Sequence, residues 1–182
     1  TSTKEQGPEI NIRLAQAEDI KAYTDLLQRT YEDTYTNEKK GLPKELFSKE
    51  VFNTEYNQEY LRDNLRIVDD QKTWLAFDGE KLVGSVTATS KGEDCEFRGF
   101  YVDPAYQGHG IGKKLVDLAN TFAGNRDVVL DTYTHNEKTL AMYRKLGFED
   151  DGPNPIFHRH WSEWPEGVEA ESIRLRLKRK KG

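Results

Sequence analysis

The stretch from Phe100 to Ala123, FYVDPAYQGHGIGKKLVDLANTFA, constrains the fold more than any other part of the chain. Phe100, Tyr101 and Val102 are aromatic or β-branched and suit a strand. Asp103-Pro104 ends that strand, because proline fixes its own φ and drives the residue before it out of the helical region. Ile111, Leu115, Leu118 and Phe122 then recur at steps of four, three and four, which predicts a helix packed on a sheet through that stripe. A strand that passes through a glycine-rich turn into such a helix commits this part of the chain to a mixed α/β layer.

The turn itself breaks two local rules. Gly108, Gly110 and Gly112 crowd the start of the helix, although glycine costs a helix interior about 1 kcal/mol relative to alanine. Lys113 and Lys114 occupy the first turn, where the positive end of the macrodipole disfavours cations. A phosphate bound at the helix start would repair both, accepting the free N–H groups, requiring close backbone approach and attracting the lysines. A plain glycine turn with solvated lysines is the alternative.

Among phosphate loops, a nucleoside-triphosphate loop requires G-x-x-x-x-G-K-[ST], and here Gly112-Lys113 is followed by Lys114. A Rossmann fingerprint requires G-x-G-x-x-G near the first βαβ unit, whereas this loop is G-x-G-x-G and lies far along the chain. Gln107-Gly108-His109-Gly110-Ile111-Gly112, preceded by a strand ending Tyr-Val-Asp-Pro, resembles the acetyl-CoA-binding motif [QR]-x-x-G-x-[GA] of the GNAT N-acetyltransferase superfamily. The resemblance implies a GNAT-like α/β fold: a mixed, mostly antiparallel twisted sheet of about seven strands, flanked by four or so helices. It also implies acetyl-CoA as cosubstrate, gripped by Phe100, Tyr101, Val102, Gln107, Gly108, His109, Gly110, Ile111, Gly112, Lys113, Asn136 and Tyr143.

The chain has 182 residues, which favours one domain over 1–182, with 1–9 as a flexible leader and 178–182 as a basic tail. Its 27 basic and 32 acidic residues give a net charge of −5, which argues against a general nucleic-acid binder. The single cysteine, Cys95, excludes an internal disulfide and a cysteine-rich zinc site, and reads as a small buried hydrophobe. No apolar run approaches the roughly 20 residues of a membrane span. The polar N-terminus shows no signal-peptide pattern, so the expectation is a cytoplasmic protein without a membrane partner.

Along the chain, Ile10, Ile12 and Leu14 predict a first strand. Ala17-Glu18-Asp19 opens a helix whose inner face is Ile20, Tyr23, Leu26, Leu27 and Thr30. Gly41-Leu42-Pro43 breaks it. A second helical region covers Lys44 to Leu65, in one piece or in two around Asn53-Thr54. Thr73 to Asp78 and Leu82 to Thr89 form a hairpin across Asp78-Gly79-Glu80-Lys81. Strands are expected from Cys95 to Val102, across Val128 to Tyr133 with burial on both faces, over Ile156 to Trp161, and through Ile173, Leu175 and Leu177. Asn136 to Leu146 is helical, with Leu140, Tyr143 and Leu146 or Met142 inward, and Gly147 stops it.

Acetyl transfer to an amine needs a group to collect the amine's proton, donors for the developing oxyanion and a proton for the leaving sulfur. Tyr143 is the candidate for the last, since the segment from Asn136 to Phe148 resembles the GNAT helix that carries such a tyrosine; on residues alone Tyr143 is also a core position. Asn136 is a sound N-cap by local chemistry, and the resemblance adds a hydrogen bond to the pantetheine arm. Glu96, on the strand before the loop, is the candidate base, with an ordinary strand-edge charge or a water relay as alternatives. The resemblance implies that amides near Tyr101 and Val102, on a bulged strand, serve the oxyanion, and Gly99 fits such a bulge. His109, His135, His158 and His160 form no recognisable ligand spacing, so no metal site is expected.

The family places its acceptor between the first two helices and the loop joining the last two strands. Here these carry Tyr23, Tyr31, Tyr35, Phe47, Phe52, Tyr56, Tyr60, Trp161 and Trp164, mixed with Glu32, Asp33, Glu55, Glu59, Glu163 and Glu166. An aromatic and acidic lining suits a small amine or polyamine cation. The run from Tyr31 to Leu65 resembles bacterial spermidine/spermine N-acetyltransferases. The reading is therefore an N-acetyltransferase that brings a small primary amine to acetyl-CoA by direct attack. A protein N-terminal or lysine acetyltransferase, a non-catalytic acyl-CoA sensor and a nucleotide-binding oxidoreductase are the other readings. A homodimer is left open.

Overall fold

The structure, a computed structural model, describes residues 7–179. Residues 1–6 of the expected leader and 180–182 of the expected tail lie outside the described residues. Eight strands form one sheet: β1 (Ile10–Leu14), β2 (Gln71–Asp78), β3 (Lys81–Lys91), β4 (Asp94–Val102), β5 (Val128–Tyr133), β6 (Glu149–Asp150), β7 (Ile156–Arg159) and β8 (Ala170–Leu177). Their order is β1-β2-β3-β4-β5-β8, with β6 and β7 both paired to the outer edge of β8. Every pairing is antiparallel except β4 with β5.

Five α-helices cover the two faces: α1 (Ile20–Tyr35), α2 (Lys49–Phe52), α3 (Glu55–Asn64), α4 (Ile111–Ala123) and α5 (Glu137–Lys145). One apolar core, which includes Tyr23, Leu26, Phe47, Phe52 and Trp164, lies on the α1–α3 side. The other, which includes Val83, Val86, Ile111, Leu115 and Tyr143, lies on the α4–α5 side. A sheet buried on both faces requires strands apolar throughout. Val128, Val129 and Leu130 meet that requirement, all being buried.

The expected break inside the second helical region is real. Asn53 ends α2, and Thr54 caps α3, its hydroxyl accepting the Asn57 N–H at 3.3 Å. Two details of the expected helix faces are corrected. On α4 the buried residues are Ile111, Leu115, Val116, Ala119 and Ala123, while Leu118 turns outward. The helix sits rotated toward small side chains that let it approach the sheet closely. On α5 Tyr143 is buried, but Met142 and Leu146 are exposed. The lone thiol of Cys95 is fully buried, and burial pushes its pKa up to about 11.

The end of β8 and the start of β5 are tied by charge. Arg176 bonds Asp94 at 3.0 Å, Asp127 at 3.1 Å and Asp151 at 2.8 Å, so one guanidinium joins β4, the loop before β5 and the turn after β6. Arg179, within the expected tail, bonds Asn120, and its N–H reaches Asp127 at 3.0 Å.

Candidate active site

The parallel pair opens almost at once. β4 and β5 are in register only at Cys95–Val128 and Glu96–Val129. Beyond those residues no ladder joins the facing edges, and the two strands splay. A bulge on the other edge of β4 accompanies the opening. The β3–β4 register shifts between Ser85 and Thr87, opposite Gly99 at φ +56°. The Ser85 hydroxyl donates to the Gly99 carbonyl at 2.6 Å, and the phenol of Tyr23 lies against the Gly99 Cα. The bulge also switches facing. Glu96 and Arg98 precede it, and Tyr101 after it lies on their face of the sheet, while Phe100 and Val102 join the α4–α5 core.

The glycine loop follows directly. Asp103 fixes its start, with its carboxylate accepting from Arg29 Nε at 3.2 Å and from the Ala105 N–H at 3.0 Å. Gly108 and Gly110 adopt φ of +86° and +78°, the left-handed region that glycine enters without steric cost. Gly112 has an ordinary φ and lies against Phe100, where a Cβ would stand 3.3 Å from the ring. Two of the glycines are therefore set by the turn and the third by helix–strand packing. Gly110 is the N-cap of α4 and offers no side-chain acceptor. Among the described residues, the backbone N–H groups from Gly108 to Lys113 have no protein partner. The fold delivers a row of unpaired donors with the positive end of α4 behind them. Gln107 donates to the Val102 carbonyl at 3.4 Å and accepts from Lys138 at 3.2 Å, tying the loop to α5. Lys113 reaches Asp117 at 3.7 Å, and His109 is exposed.

Asn136 caps α5, accepting the Thr139 N–H at 3.4 Å and donating to the Thr139 hydroxyl at 2.7 Å. Tyr143 packs between Phe100 and Phe148, with ring centroids 6.3 and 5.5 Å away. Its hydroxyl has no protein hydrogen-bond partner among the described residues, and burial raises its pKa strongly. A phenol in that state stays protonated at physiological pH and is available as a hydrogen-bond and proton donor to a group that enters the site. Glu96 stands elsewhere. Its carboxylate pairs with Lys91 at 3.0 Å and Arg98 at 3.8 Å, and it lies outside the cavity described next.

On the α1–α3 face of the splay lies a cavity of about 590 Å³. Tyr31, Tyr35, Phe52, Tyr56, Tyr60 and Trp161 line it, as the sequence suggested, and Tyr101 and Tyr133 on the sheet complete it. Tyr23, Phe47 and Trp164, expected in the same lining, belong instead to the core beneath. The Tyr31 ring touches most of the wall, with centroids 5.2 Å from Tyr101, 5.4 Å from Phe52 and 5.6 Å from Trp161. The Tyr101 and Tyr31 hydroxyls bond at 2.6 Å. Burial raises the pKa of Tyr31, Tyr35, Tyr101 and Tyr133 alike, so all four phenols are neutral donors and acceptors at physiological pH.

Three further side chains in the lining can accept a proton. Asp131 on β5 is held by Arg159 at 3.0 Å and Arg174 at 2.9 Å. Glu163 accepts from Thr54 at 3.0 Å and Asn57 at 3.1 Å. His160 gives Nδ1–H to the Val168 carbonyl at 2.8 Å, because a carbonyl can only accept, so in the neutral ring it is Nε2 that carries the lone pair. Of the acids expected around the acceptor, only Glu163 reaches this cavity. Asp131, His160 and the hydroxyls of Tyr101 and Tyr133 had no sequence signal as a group, because β4, β5 and the turn after β7 meet only in the folded sheet.

No helix among the described residues is long and apolar enough to cross a membrane. A family model described as "Acetyltransferase (GNAT) family" matches residues 22–148. A stretch of 58 residues is 43% identical to the N-alpha-acetyltransferase RimI of Mycobacterium tuberculosis, covering 32% of this chain and 37% of that protein. An uncharacterized protein of Mycobacterium leprae is 36% identical over 83 residues, 43% of this chain and 23% of its own length. These curated relatives are thus matched over well under half of their lengths. The PaiA N-acetyltransferase of Thermoplasma acidophilum, solved in complex with coenzyme A, shares the fold with a TM-score of 0.62 at 20% identity, over 93% of this chain and 99% of that one. The splayed parallel pair, the bulge beside it, the open glycine loop and a family match over most of the chain coincide, and the chain belongs to the acetyltransferase (GNAT) family.

Proposed function

We propose that the chain transfers an acetyl group from acetyl-CoA to a primary amine by direct attack within a ternary complex. The observation that carries the reading is the set of unpartnered N–H groups from Gly108 to Lys113, at the end of the splay opposite an aromatic cavity. Membership of an acetyltransferase family supports it.

In this reading the loop amides and Lys113 hold the diphosphate of CoA, since a helix N-terminus with free donors is an anion site. Phe100, Tyr101 and Val102 line the opened edge of β4, where strand amides without a ladder partner receive the pantetheine arm and the acetyl carbonyl. Asn136 flanks the arm from the start of α5. The thioester supplies the activated acyl group.

Tyr143 donates its proton to the departing sulfur. Its apolar surroundings keep the hydroxyl neutral, and the absence of an internal hydrogen bond leaves the proton available. The incoming amine must shed a proton, since an alkylammonium has a pKa near that of lysine, about 10.4. Asp131 and His160 face the cavity and can accept it. Glu96, engaged by Lys91 and Arg98, would act only through a chain of water. Water-relayed removal would make Glu96 replaceable without abolishing turnover.

The acceptor is a small amine, with a polyamine among its members, because cations bind well over aromatic faces when partly desolvated. The relative named for N-alpha acetylation leaves a protein N-terminus as the second reading. Thiol release from acetyl-CoA tests the function: alkylamines, polyamines and a short peptide are each mixed with enzyme and the free thiol is measured. Release with at least one amine is expected. CoA binding with no release for any of them would make the protein a sensor of acyl-CoA. Thermal stabilisation by NAD or FAD and none by CoA would remove the acetyltransferase reading altogether.

A further inference from the structure

We infer that Glu163 is a specificity residue which binds a second positive charge of the acceptor, so that the cavity selects diamines over monoamines. The inference rests on the acetyl-transfer reading above and deepens it.

Two carboxylates line the cavity, and their partners differ. Asp131 is neutralised by two guanidinium groups, Arg159 and Arg174. Glu163 forms no ion pair among the described residues. Its Oε1 accepts from two neutral donors, Thr54 Oγ1 and Asn57 Nδ2, and its Oε2 has no protein hydrogen bond. A partly buried carboxylate without a counter-ion is costly unless something cationic arrives to meet it.

The carboxylate is also held still. It sits in the tight turn after β7, where the Trp164 N–H bonds the Trp161 carbonyl at 2.9 Å. The two indoles stack at 5.3 Å with 11° between planes, Trp161 Nε1 donates to the Tyr133 hydroxyl at 3.1 Å, and Trp164 Nε1 donates to the Leu46 carbonyl at 3.3 Å. A fixed anion between aromatic rings is a preorganised ammonium site, because the ordering cost is met during folding.

Its position assigns it the non-reacting charge. The splay lies at the sheet, beside Tyr101, whereas Glu163 lies on the opposite wall with the start of α3. The Tyr31 ring fills the layer between, touching Tyr101 on one side and Phe52 and Trp161 on the other. A linear molecule with an amine at each end would place one amine at the splay, its methylenes along Tyr31 and the other amine at Glu163.

The test compares 1,4-diaminobutane with n-butylamine, which differ by one ammonium, in the native enzyme and in Glu163→Gln. Glutamine keeps an oxygen that can accept from Thr54 and Asn57, so the turn stays pinned to α3, and a retained melting midpoint verifies this. The ratio of kcat/KM for the diamine over the monoamine is expected to favour the diamine in the native enzyme and to fall about 10- to 100-fold in Glu163→Gln, the range of one charged hydrogen bond. A ratio unchanged by the substitution, whether both substrates are retained or both are lost together, overturns the inference while the acetyl-transfer reading stands. Failure of the native enzyme with every amine would instead sink that reading itself.

Discussion

The phenolic oxygen of Tyr23 stands 2.8 Å from the point where a Cβ on Gly99 would be, so the α1 phenol closes on the β4 bulge. The same oxygen lies 3.5 Å from Asn64 Nδ2, and burial pushes its pKa up to about 12. Gly99→Ala would meet two penalties, a side chain at φ +56° and a collision with Tyr23. A loss of about 2–4 kcal/mol is expected in urea denaturation, within the range of strained-backbone and overpacking substitutions. Adding Tyr23→Phe removes the oxygen but leaves the φ penalty. The double variant should therefore recover part of the loss. Strict additivity of the two changes would show that the contact does not hold the bulge.

Tyr143 separates packing from chemistry. Tyr143→Phe keeps the ring between Phe100 and Phe148 and deletes a hydroxyl that has no protein hydrogen-bond partner among the described residues. Stability should be nearly unchanged, since no internal hydrogen bond is lost. Turnover should fall on the order of 10²-fold with CoA affinity held within about twofold, the pattern of an interaction used only in the transition state. Full turnover in the variant would leave Tyr143 as a core residue alone.

The loop makes a cleaner claim on binding than on stability. Asp tolerates the left-handed conformation of Gly110 better than most residues, and an acid at an N-cap favours the helix. Gly110→Asp should thus melt somewhat below the native protein, by the strain of a side chain at φ +78°, and remain folded. Its carboxylate, however, would occupy the loop donors and repel a diphosphate. Calorimetric titration with CoA should show affinity reduced more than tenfold, or over about 1.4 kcal/mol. A Kd equal to that of the native protein would clear the loop of any part in holding CoA.

His135 links the first helix to the second half of the sheet. Its Nε2 bonds the Tyr35 carbonyl at 3.0 Å and its ring stacks on Tyr133 with centroids 5.7 Å apart. Burial lowers its pKa below the ordinary value of 6.5. The folded state then binds the proton less readily than the unfolded chain, so the contribution is complete above pH 6.5 and is lost as pH falls from there through the lowered folded pKa. Melting midpoints measured from pH 7.5 down to 5.5 should decline in the native protein and decline less in His135→Gln. Parallel curves would show that the imidazole is not the group responsible.

Much of the architecture could be read before folding, because it rests on interactions close in sequence. The Asn136 cap, the break at Thr54 and the Gly147 stop are each made within a few residues of their own helix. The hairpin across Gly79 needs only one turn. Helix rotation was less legible. Leu118 satisfied a helical stripe as well as Ala119 did, and only the approach to the sheet chose between them, while Phe122 kept its place against the core. The acceptor wall was half visible. Its aromatic residues on α1, α2, α3 and the β7–β8 turn stood out, but Tyr23 and Phe47 carry the same signal and went to the core instead.

The order of elements, the open glycine loop and its family likeness follow from local composition alone, since strand, turn and helix signals are written in neighbouring residues. Where β4 parts from β5, which carboxylate is left without a counter-ion and which tyrosines keep contact with the cavity were decided by the tertiary structure. Those properties depend on residues far apart in the chain, Thr54 and Glu163 being 109 positions apart, and no local pattern encodes which distant charges will cancel and which will be left to bind something else.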